Sequence, residues 1–122
     1  MKLMTIRQSE IWLVDLNSTI GSEIKKARPC IVVNDNNVGI LPSKTVVPIS
    51  GWNKIYTKVP WMISLSANTQ NGLSKHSVAD TFQIRNVSQK RFLKKIGQID
   101  SNLLFTIHQA IVKTLNIDYT IS

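Results

Sequence analysis

The hydrophobic positions of this 122-residue chain fall into short runs, rich in β-branched and aromatic side chains, that alternate with polar segments. Such runs are typical of β-strands. The predicted strands are Glu10–Leu16, Arg28–Asn34, Lys44–Ser50, Val59–Leu65, Ser77–Arg85 and Leu93–Ile99. Pro48 cannot donate to a strand ladder, so its strand is expected at a sheet edge or a bulge. A turn is predicted at Asn71-Gly72, and strands at this spacing suggest a small barrel.

A different spacing follows the last predicted strand. Apolar residues recur there at steps of three and four, at Leu103, Leu104, Ile107, Ala110, Ile111 and Leu115. This pattern predicts an amphipathic helix with Asp100 or Ser101 as its N-cap. Phe105 and Val112 form a second apolar patch to one side of that helix. The patch either contributes to a homodimer or is covered where Phe105 packs under a loop. Upstream, Ser88 is predicted to cap one short helical turn.

Length and composition indicate a soluble globular protein with a single domain spanning residues 1–122. The chain is 43% hydrophobic and 18% charged, a balance that argues against intrinsic disorder and against a membrane-embedded chain. No apolar run approaches the roughly 20 residues of a spanning helix, and the N-terminus has no signal-peptide core, so a cytoplasmic location is expected. Cys30 is the single cysteine, and no cysteine and histidine residues have zinc-site spacing. No metal or cofactor is expected.

The net charge gives the first indication of function. Fifteen Lys and Arg residues against seven Asp and Glu residues leave a formal charge of +8. The excess is uneven, because Gly51–Ile99 contains eight basic residues and one acid, Asp80. A positive face of this kind favours a phosphate-bearing partner such as nucleic acid. A surface that only promotes solubility is the alternative, and binding to an anionic membrane is disfavoured because the basic residues do not share one amphipathic helix.

Most familiar catalytic motifs are missing from the sequence. It contains no Gly-rich phosphate loop with its lysine, no HExxH motif and no serine elbow. His108 lies at the edge of the apolar face of the predicted helix, where a packed structural role is expected. His76 lies in a predicted turn, where a solvated side chain is favoured over a phosphate contact. Neither histidine is assigned a catalytic role.

The polar segment between the first two predicted strands is a better candidate for a site. It contains the flexible Gly21 and ends in Arg28, whose backbone is restricted to extended geometry by Pro29. A planar guanidinium held in this way suits bidentate binding of a phosphate. The alternative is a surface salt bridge between Arg28 and Glu23.

Three stretches of the sequence carry motifs that are specific in combination. They are EIWLVDLNSTIGSEIKKARPCIVV from Glu10 to Val33, TVVPIS from Thr45 to Ser50, and GLSKHSVADTFQIRNVSQKRFLKKIGQI from Gly72 to Ile99. With the elements GSE-x4-RP, SVA-x3-QIR and KKIG, the chain resembles the MazF/PemK/Kid family of toxin endoribonucleases over nearly its whole length. The resemblance implies an SH3-like β-barrel of the plasmid maintenance toxin type with a C-terminal α-helix. It also implies metal-independent, sequence-specific cleavage of single-stranded RNA such as mRNA.

The same resemblance implies a set of partners. They are a second copy of the chain, with an RNA groove across the homodimer interface, and a cognate MazE-like antitoxin whose acidic, disordered tail occludes that groove. Operator DNA would be reached through the antitoxin. No membrane partner is implied.

The resemblance also assigns site residues. It places the catalytic arginine at Arg28, the second catalytic position at Ser50, the loop glutamate at Glu23 and a groove-lining glutamine at Gln83. In such a reaction the 2′-hydroxyl of RNA attacks the adjacent phosphorus and leaves a 2′,3′-cyclic phosphate and a 5′-hydroxyl. Arg28 fits the role of stabilising charge on the phosphate, since its guanidinium stays protonated, and Glu23 would act as the base or orient Arg28.

Three positions depart from the family pattern. Ser50 stands where threonine is common, and it keeps the hydroxyl donor but lacks the methyl group that restricts χ1. We therefore expect retained chemistry with looser positioning. Ser9 stands where glycine is usual, and Ser18 stands where proline is common.

Sequence reading of single-stranded RNA calls for aromatic side chains beside amides. Trp52, Tyr56 and Trp61 follow the third predicted strand, and Trp52 is the first candidate because it comes directly after Ser50-Gly51. Packing in the core or at a dimer interface is the competing interpretation for each. Lys54, Lys58 and Arg85 would contact backbone phosphates. The predicted RNA contacts are Gly21, Ser22, Trp52, Lys54, Ser77, Gln83 and Arg85.

Two rival functions remain open at this stage. One is a non-catalytic toxin of the same fold, similar to CcdB, that binds a protein target such as DNA gyrase. The pairing of Arg28 with Ser50 argues against it, since a plain binding module needs no hydroxyl beside an aimed arginine. The other is a nucleic-acid-binding barrel that only autoregulates transcription, which predicts salt-dependent binding without cleavage products.

Overall fold

The computed structural model describes residues 5–16, 27–38 and 42–119. Within these ranges the strands are β1 (Glu10–Asp15), β2 (Ala27–Val32), β3 (Ser43–Gly51), β4 (Met62–Leu65), β5 (Ser77–Asp80), β6 (Arg85–Ser88) and β7 (Phe92–Gln98). The short 3₁₀ helices are η1 (Lys54–Lys58), η2 (Thr81–Gln83) and η3 (Gln89–Arg91), and the α-helix α1 is Ser101–Thr114.

The strands form one antiparallel sheet in the order β4-β5-β3-β2-β1-β7, with β6 pairing to β3. Within the described ranges no pairing joins the end strands β4 and β7, so the sheet is not closed. The mainly β fold with a C-terminal helix is confirmed. The strand predicted from Val59 begins only at Met62, because η1 and a turn at Pro60 come before it. The predicted cap at Ser88 is confirmed, since its hydroxyl accepts a hydrogen bond of 3.2 Å from the N–H of Lys90 in η3.

The single strand predicted over Ser77–Arg85 is wrong, because η2 interrupts it. The carboxylate of Asp80 accepts a hydrogen bond of 3.2 Å from the N–H of Phe82 and so caps η2. The buried hydroxyl of Thr81 donates to the carbonyl of Trp61 at 2.8 Å. These local bonds divert the backbone from the extended path, and β6 therefore starts a new pairing with β3.

The edge position predicted for Pro48 is also wrong, because β3 is an inner strand of the sheet. On one side Pro48 lies opposite Cys30 of β2. On the other side β3 pairs with β6 as far as Val46 and with β5 from Ile49 onward. Pro48 lies between these two partners, where the ladder needs no donor. The missing N–H is therefore accommodated at a change of partner strand.

The two faces of the sheet bury separate apolar clusters, as the alternation of side chains along each strand requires. One cluster lies between the sheet and α1, and its buried members include Ile11, Ile31, Val47, Ile49, Leu65, Ala79 and Ile107. The other lies on the opposite face, and its buried members include Ile6, Trp12, Val14, Cys30, Val32, Val46 and Phe92.

The helix α1 packs on the first cluster. Asp100 is the N-cap, and its carboxylate accepts a hydrogen bond of 2.8 Å from the N–H of Leu103. Ile107 and Ala110 are buried, as the apolar spacing predicts. The assignment of Leu115 to the buried face is wrong, because α1 ends at Thr114 and Leu115 is 61% exposed. In the part of the chain that is described, no helix has the length and apolar character needed to cross a membrane.

The second apolar patch of α1 is open to solvent in this chain. Phe105 is 62% exposed and Val112 is 41% exposed. The interpretation that a loop covers Phe105 is therefore wrong for the described part of the chain. The patch remains available to a partner.

The backbone at Ser9 has a left-handed conformation, with φ of 78°. Its N–H donates to the carbonyl of Val32 at 2.8 Å, and its carbonyl accepts from the N–H of Ile99 at 2.9 Å. These bonds tie the start of β1 to two parts of the sheet. A left-handed residue favours glycine, which gives a physical reason for the glycine expected at this position from the family pattern.

Glu10, the next residue, is a buried carboxylate with several donors around it. It accepts hydrogen bonds from the N–H of Arg7 at 2.8 Å and from Nε1 of Trp12 at 3.0 Å. The ammonium of Lys95 lies 2.9 Å from its other oxygen. Burial alone raises the pKa of Glu10, but the bonds from Lys95, Trp12 and Arg7 outweigh burial, so the pKa lies below its ordinary value.

Candidate functional site

The centre of the candidate site is a contact between β2 and β3. Cys30 pairs with Pro48 in this antiparallel ladder, and continuing the register by two residues places Arg28 opposite Ser50. Nη1 of Arg28 donates a hydrogen bond of 3.2 Å to Oγ of Ser50. Pro29 follows Arg28 within the strand and holds it in extended geometry. The structure thus brings together two of the three predicted catalytic residues.

Two clefts meet at this pair, and Arg28 and Ser50 line both. The first has a volume of about 410 Å³, and polar side chains from the turn before β5 and from the first residue of β5 contribute to its wall. These side chains are Ser74, Lys75 and Ser77. The second has a volume of about 370 Å³, and its wall includes Asp80, Gln83 and Arg85. The other lining residues alternate along β2 and β3, so the first cleft lies on the face of Pro29 and Ile49. The second cleft lies on the face that carries the side chains of Arg28 and Ser50.

The second cleft depends on the change of partner strand at Pro48. Because β3 turns from β6 to β5 there, a gap opens in the sheet, and Pro48 lines the cleft. The 3₁₀ helix η2 spans the gap and ends at Gln83, and Arg85 begins β6. The predicted contacts Gln83 and Arg85 are thus brought beside Arg28 and Ser50.

Cys30 follows Arg28 by two residues in β2, and its buried thiol is not a nucleophile. Burial raises the pKa of Cys30 to about 12, although the positive charges of Arg85 and Arg28 oppose the rise. A thiol with this pKa is almost entirely protonated near neutral pH.

Trp52, the first base-stacking candidate, already has an aromatic neighbour. Its indole lies nearly parallel to the imidazole of His76, with ring centroids 4.7 Å apart and an interplanar angle of 14°. The ring of Tyr56 meets the indole edge-on at 6.2 Å. Nε2 of His76 lies 2.6 Å from Oγ of Ser64. His76 is exposed, as the sequence predicts for a turn residue, but its part in this cluster was not foreseen.

Trp61 belongs to a different aromatic contact. Its ring lies 6.0 Å from that of Phe82 at an angle of 51°, and Phe82 is 65% exposed. Phe82 precedes Gln83 in η2 and is not among the residues predicted from the sequence. The signal in the sequence is an aromatic residue directly before the glutamine of SVA-x3-QIR.

The remaining candidates have mixed outcomes. Ser77 lines the first cleft, but it is buried and its hydroxyl donates to the carbonyl of Lys75 at 2.9 Å. Lys54 is exposed at the start of η1.

The structural role of His108 is confirmed, because Nε2 lies 2.9 Å from the carbonyl oxygen of Val33. The predicted residues Gly21, Ser22 and Glu23 lie outside the described residues, as does Ser18. Within the described ranges, no three His, Cys, Asp or Glu side chains are grouped as metal ligands.

Comparisons with known proteins identify a family. Residues 7–115 match the family described as PemK-like, MazF-like toxin of type II toxin-antitoxin system. The chain is 34% identical to endoribonuclease MazF9 of Mycobacterium tuberculosis over 113 residues, which cover 87% of this chain and 92% of that protein. It is 26% identical to endoribonuclease EndoA of Bacillus subtilis over 109 residues, covering 88% and 92% of the two chains.

A solved structure has the same fold. It is an endoribonuclease in complex with its cognate antitoxin from a mycobacterial species, and it superposes with a TM-score of 0.75. The match covers 95% of this chain and 100% of that one at 13% sequence identity. At that identity the likeness establishes the fold.

Proposed function

The chain belongs to the PemK-like, MazF-like toxin family of type II toxin-antitoxin systems, and on that basis we propose that it is an endoribonuclease that cleaves single-stranded RNA, mRNA included, at short sequence motifs. The observation that supports this activity is the hydrogen bond from Arg28 to Ser50 in the wall of the second cleft. The substrate lies across this contact, with its scissile phosphate against the guanidinium and the hydroxyl. A neutralising antitoxin controls the activity.

The proposed reaction requires no metal ion because the RNA provides its own nucleophile. The 2′-hydroxyl oxygen attacks the adjacent phosphorus as its proton passes to a base. The bond from phosphorus to the 5′ oxygen breaks, and that oxygen takes up a proton. The products carry a 2′,3′-cyclic phosphate and a 5′-hydroxyl. Each step needs charge stabilisation on the phosphate and controlled proton transfer.

Arg28 and Ser50 both donate hydrogen bonds to the reacting phosphate. Ser50 accepts a hydrogen bond from Arg28, so, among the described residues, its hydroxyl proton is available for a non-bridging phosphate oxygen. Arg28 has further N–H donors that can bind the same phosphate in a fork. Because its guanidinium stays protonated, Arg28 stabilises negative charge as it builds. We assign Glu23 the role of base or of orienting Arg28, by its match to the family's loop glutamate.

The RNA chain extends from this centre in both directions. Gln83 reads a base edge in the second cleft, and Arg85 neutralises a phosphate there. Trp52 and Lys54 serve the other side. Gly21 and Ser22 are further proposed contacts by the family resemblance alone, and the buried Ser77 is assigned no contact. A basic surface of this kind also fits the acidic tail of a cognate MazE-like antitoxin, which would occupy the same groove.

The exposed patch of Phe105 and Val112 on α1 is the proposed homodimer surface. A homodimer places two sites on one particle and gives the antitoxin a continuous surface to cover. Through that antitoxin the toxin would reach operator DNA. The expected place of action is the cytoplasm, where mRNA is available.

The test is to incubate the purified protein, in EDTA, with a long RNA of little secondary structure, and to map the ends produced. Cuts at one short motif with cyclic phosphate and 5′-hydroxyl ends are expected, and Arg28→Ala should abolish them. Intact RNA after incubation with folded wild-type protein would refute the proposal. It would instead favour a toxin of the same fold that binds a protein target such as DNA gyrase.

A further inference from the structure

The ring pair Trp52–His76 continues the strip of side chains that contains Arg28 and Ser50. Gly51 pairs with Ser77, and the bond of 3.1 Å from the N–H of Trp52 to the carbonyl of His76 carries this pairing one residue further. Side chains two positions apart on a strand share a face and lie roughly 7 Å apart. The aromatic pair is therefore about one side-chain position beyond the reactive hydroxyl, on the same face of the sheet.

Within the pair, His76 presents the more accessible ring. Trp52 is only partly exposed, whereas His76 is exposed. The indole covers one face of the imidazole, and the hydroxyl of Ser64 holds Nε2 at 2.6 Å. The ring is thereby held from behind and at its edge. Such a preorganised ring loses little freedom when a second planar group stacks on it.

The surroundings favour a nucleic acid as the ligand. The cation on this face is the guanidinium of Arg28, which donates to Ser50. The ammonium of Lys75 lies on the opposite face, beside Gly51, where a Cβ would meet Nζ at 3.1 Å. The cation of the reactive pair is thus about one side-chain position from the aromatic pair, on the same face. Aromatic rings beside cations are the usual means of holding single-stranded RNA, with bases on the rings and phosphates on the cations.

We propose that His76, held by Trp52 and Ser64, is a stacking site for the base of the nucleotide next to the scissile phosphate. This nucleotide lies on the side of Ser50 away from Gln83 and Arg85, because Pro48, which lines the second cleft, precedes Ser50 in β3, and Trp52 follows it. The inference rests on the proposed endoribonuclease function. It assigns to His76 a role in substrate positioning, separate from the proton transfers of the reaction.

The experiment uses the RNA motif found by end mapping, prepared as a short oligonucleotide. A version with a 2′-deoxynucleotide at the cut cannot react and reports the dissociation constant, and the all-RNA version reports kcat and KM. The variants are His76→Ala, which removes the ring, and His76→Phe, which keeps an aromatic face. Tyr119→Ala is the matched control, because Tyr119 is 71% exposed and lies near the end of the chain, after α1. Thermal unfolding checks that every variant is folded.

For His76→Ala we expect the dissociation constant and KM to rise at least about fivefold, with kcat changed by less than about twofold. His76→Phe should recover most of the affinity, and Tyr119→Ala should match the wild type. A set of oligonucleotides, each lacking one base near the cut, identifies the stacked base. Its removal should weaken wild-type binding, and His76→Ala should add no further loss on that oligonucleotide.

Other results would overturn the stacking site. An unchanged dissociation constant for folded His76→Ala would do so. An equal loss of affinity caused by His76→Ala on every oligonucleotide that lacks a base would also do so, because it indicates a purely structural role. In both cases cleavage by the wild type, with loss of cleavage in Arg28→Ala, would leave the proposed function intact. If folded wild-type protein leaves all RNA uncut, the proposed function fails and the stacking site fails with it.

Discussion

Arg28 and Ser50 are 22 positions apart in the chain, yet Nη1 of Arg28 lies 3.2 Å from Oγ of Ser50. The contact is a direct consequence of the register between β2 and β3. It joins a rigid guanidinium fork to a hydroxyl that accepts from it, and among the described residues the proton of that hydroxyl is available to a ligand. This arrangement can bind a phosphate from two sides, and the predictions for the reaction follow from it.

Arg28→Lys should lower kcat by about 10²-fold or more, although the positive charge is kept. A lysine ammonium is a single point charge and cannot donate to Ser50 and to a phosphate in the fork geometry of arginine. Initial rates on the identified oligonucleotide measure the effect, and affinity for the 2′-deoxy analogue serves as the control. Near wild-type turnover in Arg28→Lys would show that charge alone is sufficient.

Ser50→Ala should reduce kcat by roughly 10²–10³-fold, because it removes a donor to the phosphate in the transition state. Ser50→Thr should keep kcat at or above the wild-type value, since the added methyl group restricts χ1 and retains the hydroxyl. The two variants are compared by single-turnover cleavage. Equal rates for alanine and threonine at position 50 would exclude the hydroxyl from the reaction.

Ser9→Gly should raise the free energy of unfolding by about 0.5–1 kcal/mol. The φ of 78° strains a serine backbone but not a glycine backbone, and the greater entropy of unfolded glycine offsets part of the gain. Ser9→Ala is the matched control and should give no gain, because alanine has the same strain. Urea unfolding at neutral pH measures all three proteins. A less stable glycine variant would contradict this account of the strain.

Glu10→Gln should lower the free energy of unfolding by about 1–3 kcal/mol at pH 7, because the donors of Arg7, Trp12 and Lys95 lose a charged acceptor. The pKa of Glu10 is lowered in the folded state. Its contribution is therefore complete above the pKa of the unfolded chain, about 4.3, and is lost as pH falls through the lower folded value.

Urea unfolding of wild type and Glu10→Gln across this pH range tests that expectation. The difference in stability should be constant from pH 7 to about pH 5 and should shrink below about pH 4. A difference that grew on acidification would mean that the pKa is raised by burial instead of lowered by the donors.

Phe105→Glu should convert the proposed homodimer to a monomer, because a charge replaces an aromatic side chain at the centre of the exposed patch on α1. Sedimentation equilibrium at micromolar concentration gives the mass directly. Tyr119→Glu changes an aromatic residue outside α1 that is also exposed, and it should leave the mass unchanged. A dimer that survives Phe105→Glu would place the interface elsewhere.

Local patterns in the sequence were sufficient for much of the fold. Short runs of β-branched and aromatic residues between polar segments identified β1, β2 and β3 close to their observed bounds. The capping residues Asp100 and Ser88 identified two helix starts. These features depend on neighbours within a few residues, so they can be read along the chain. Specific motifs also identified Arg28 and Ser50 as candidates before any geometry was known.

Only the tertiary structure decided what depends on partners far along the chain. Pro48 lies inside the sheet because two strands, β6 and β5, share one side of β3, and no local pattern encodes that change. The stacking of His76 on Trp52 requires the register between β3 and β5. A shift of one residue in that register would send either ring to the opposite face. Residue types and local periods are thus set by the sequence alone, and their meeting at one site is set by how distant strands pair.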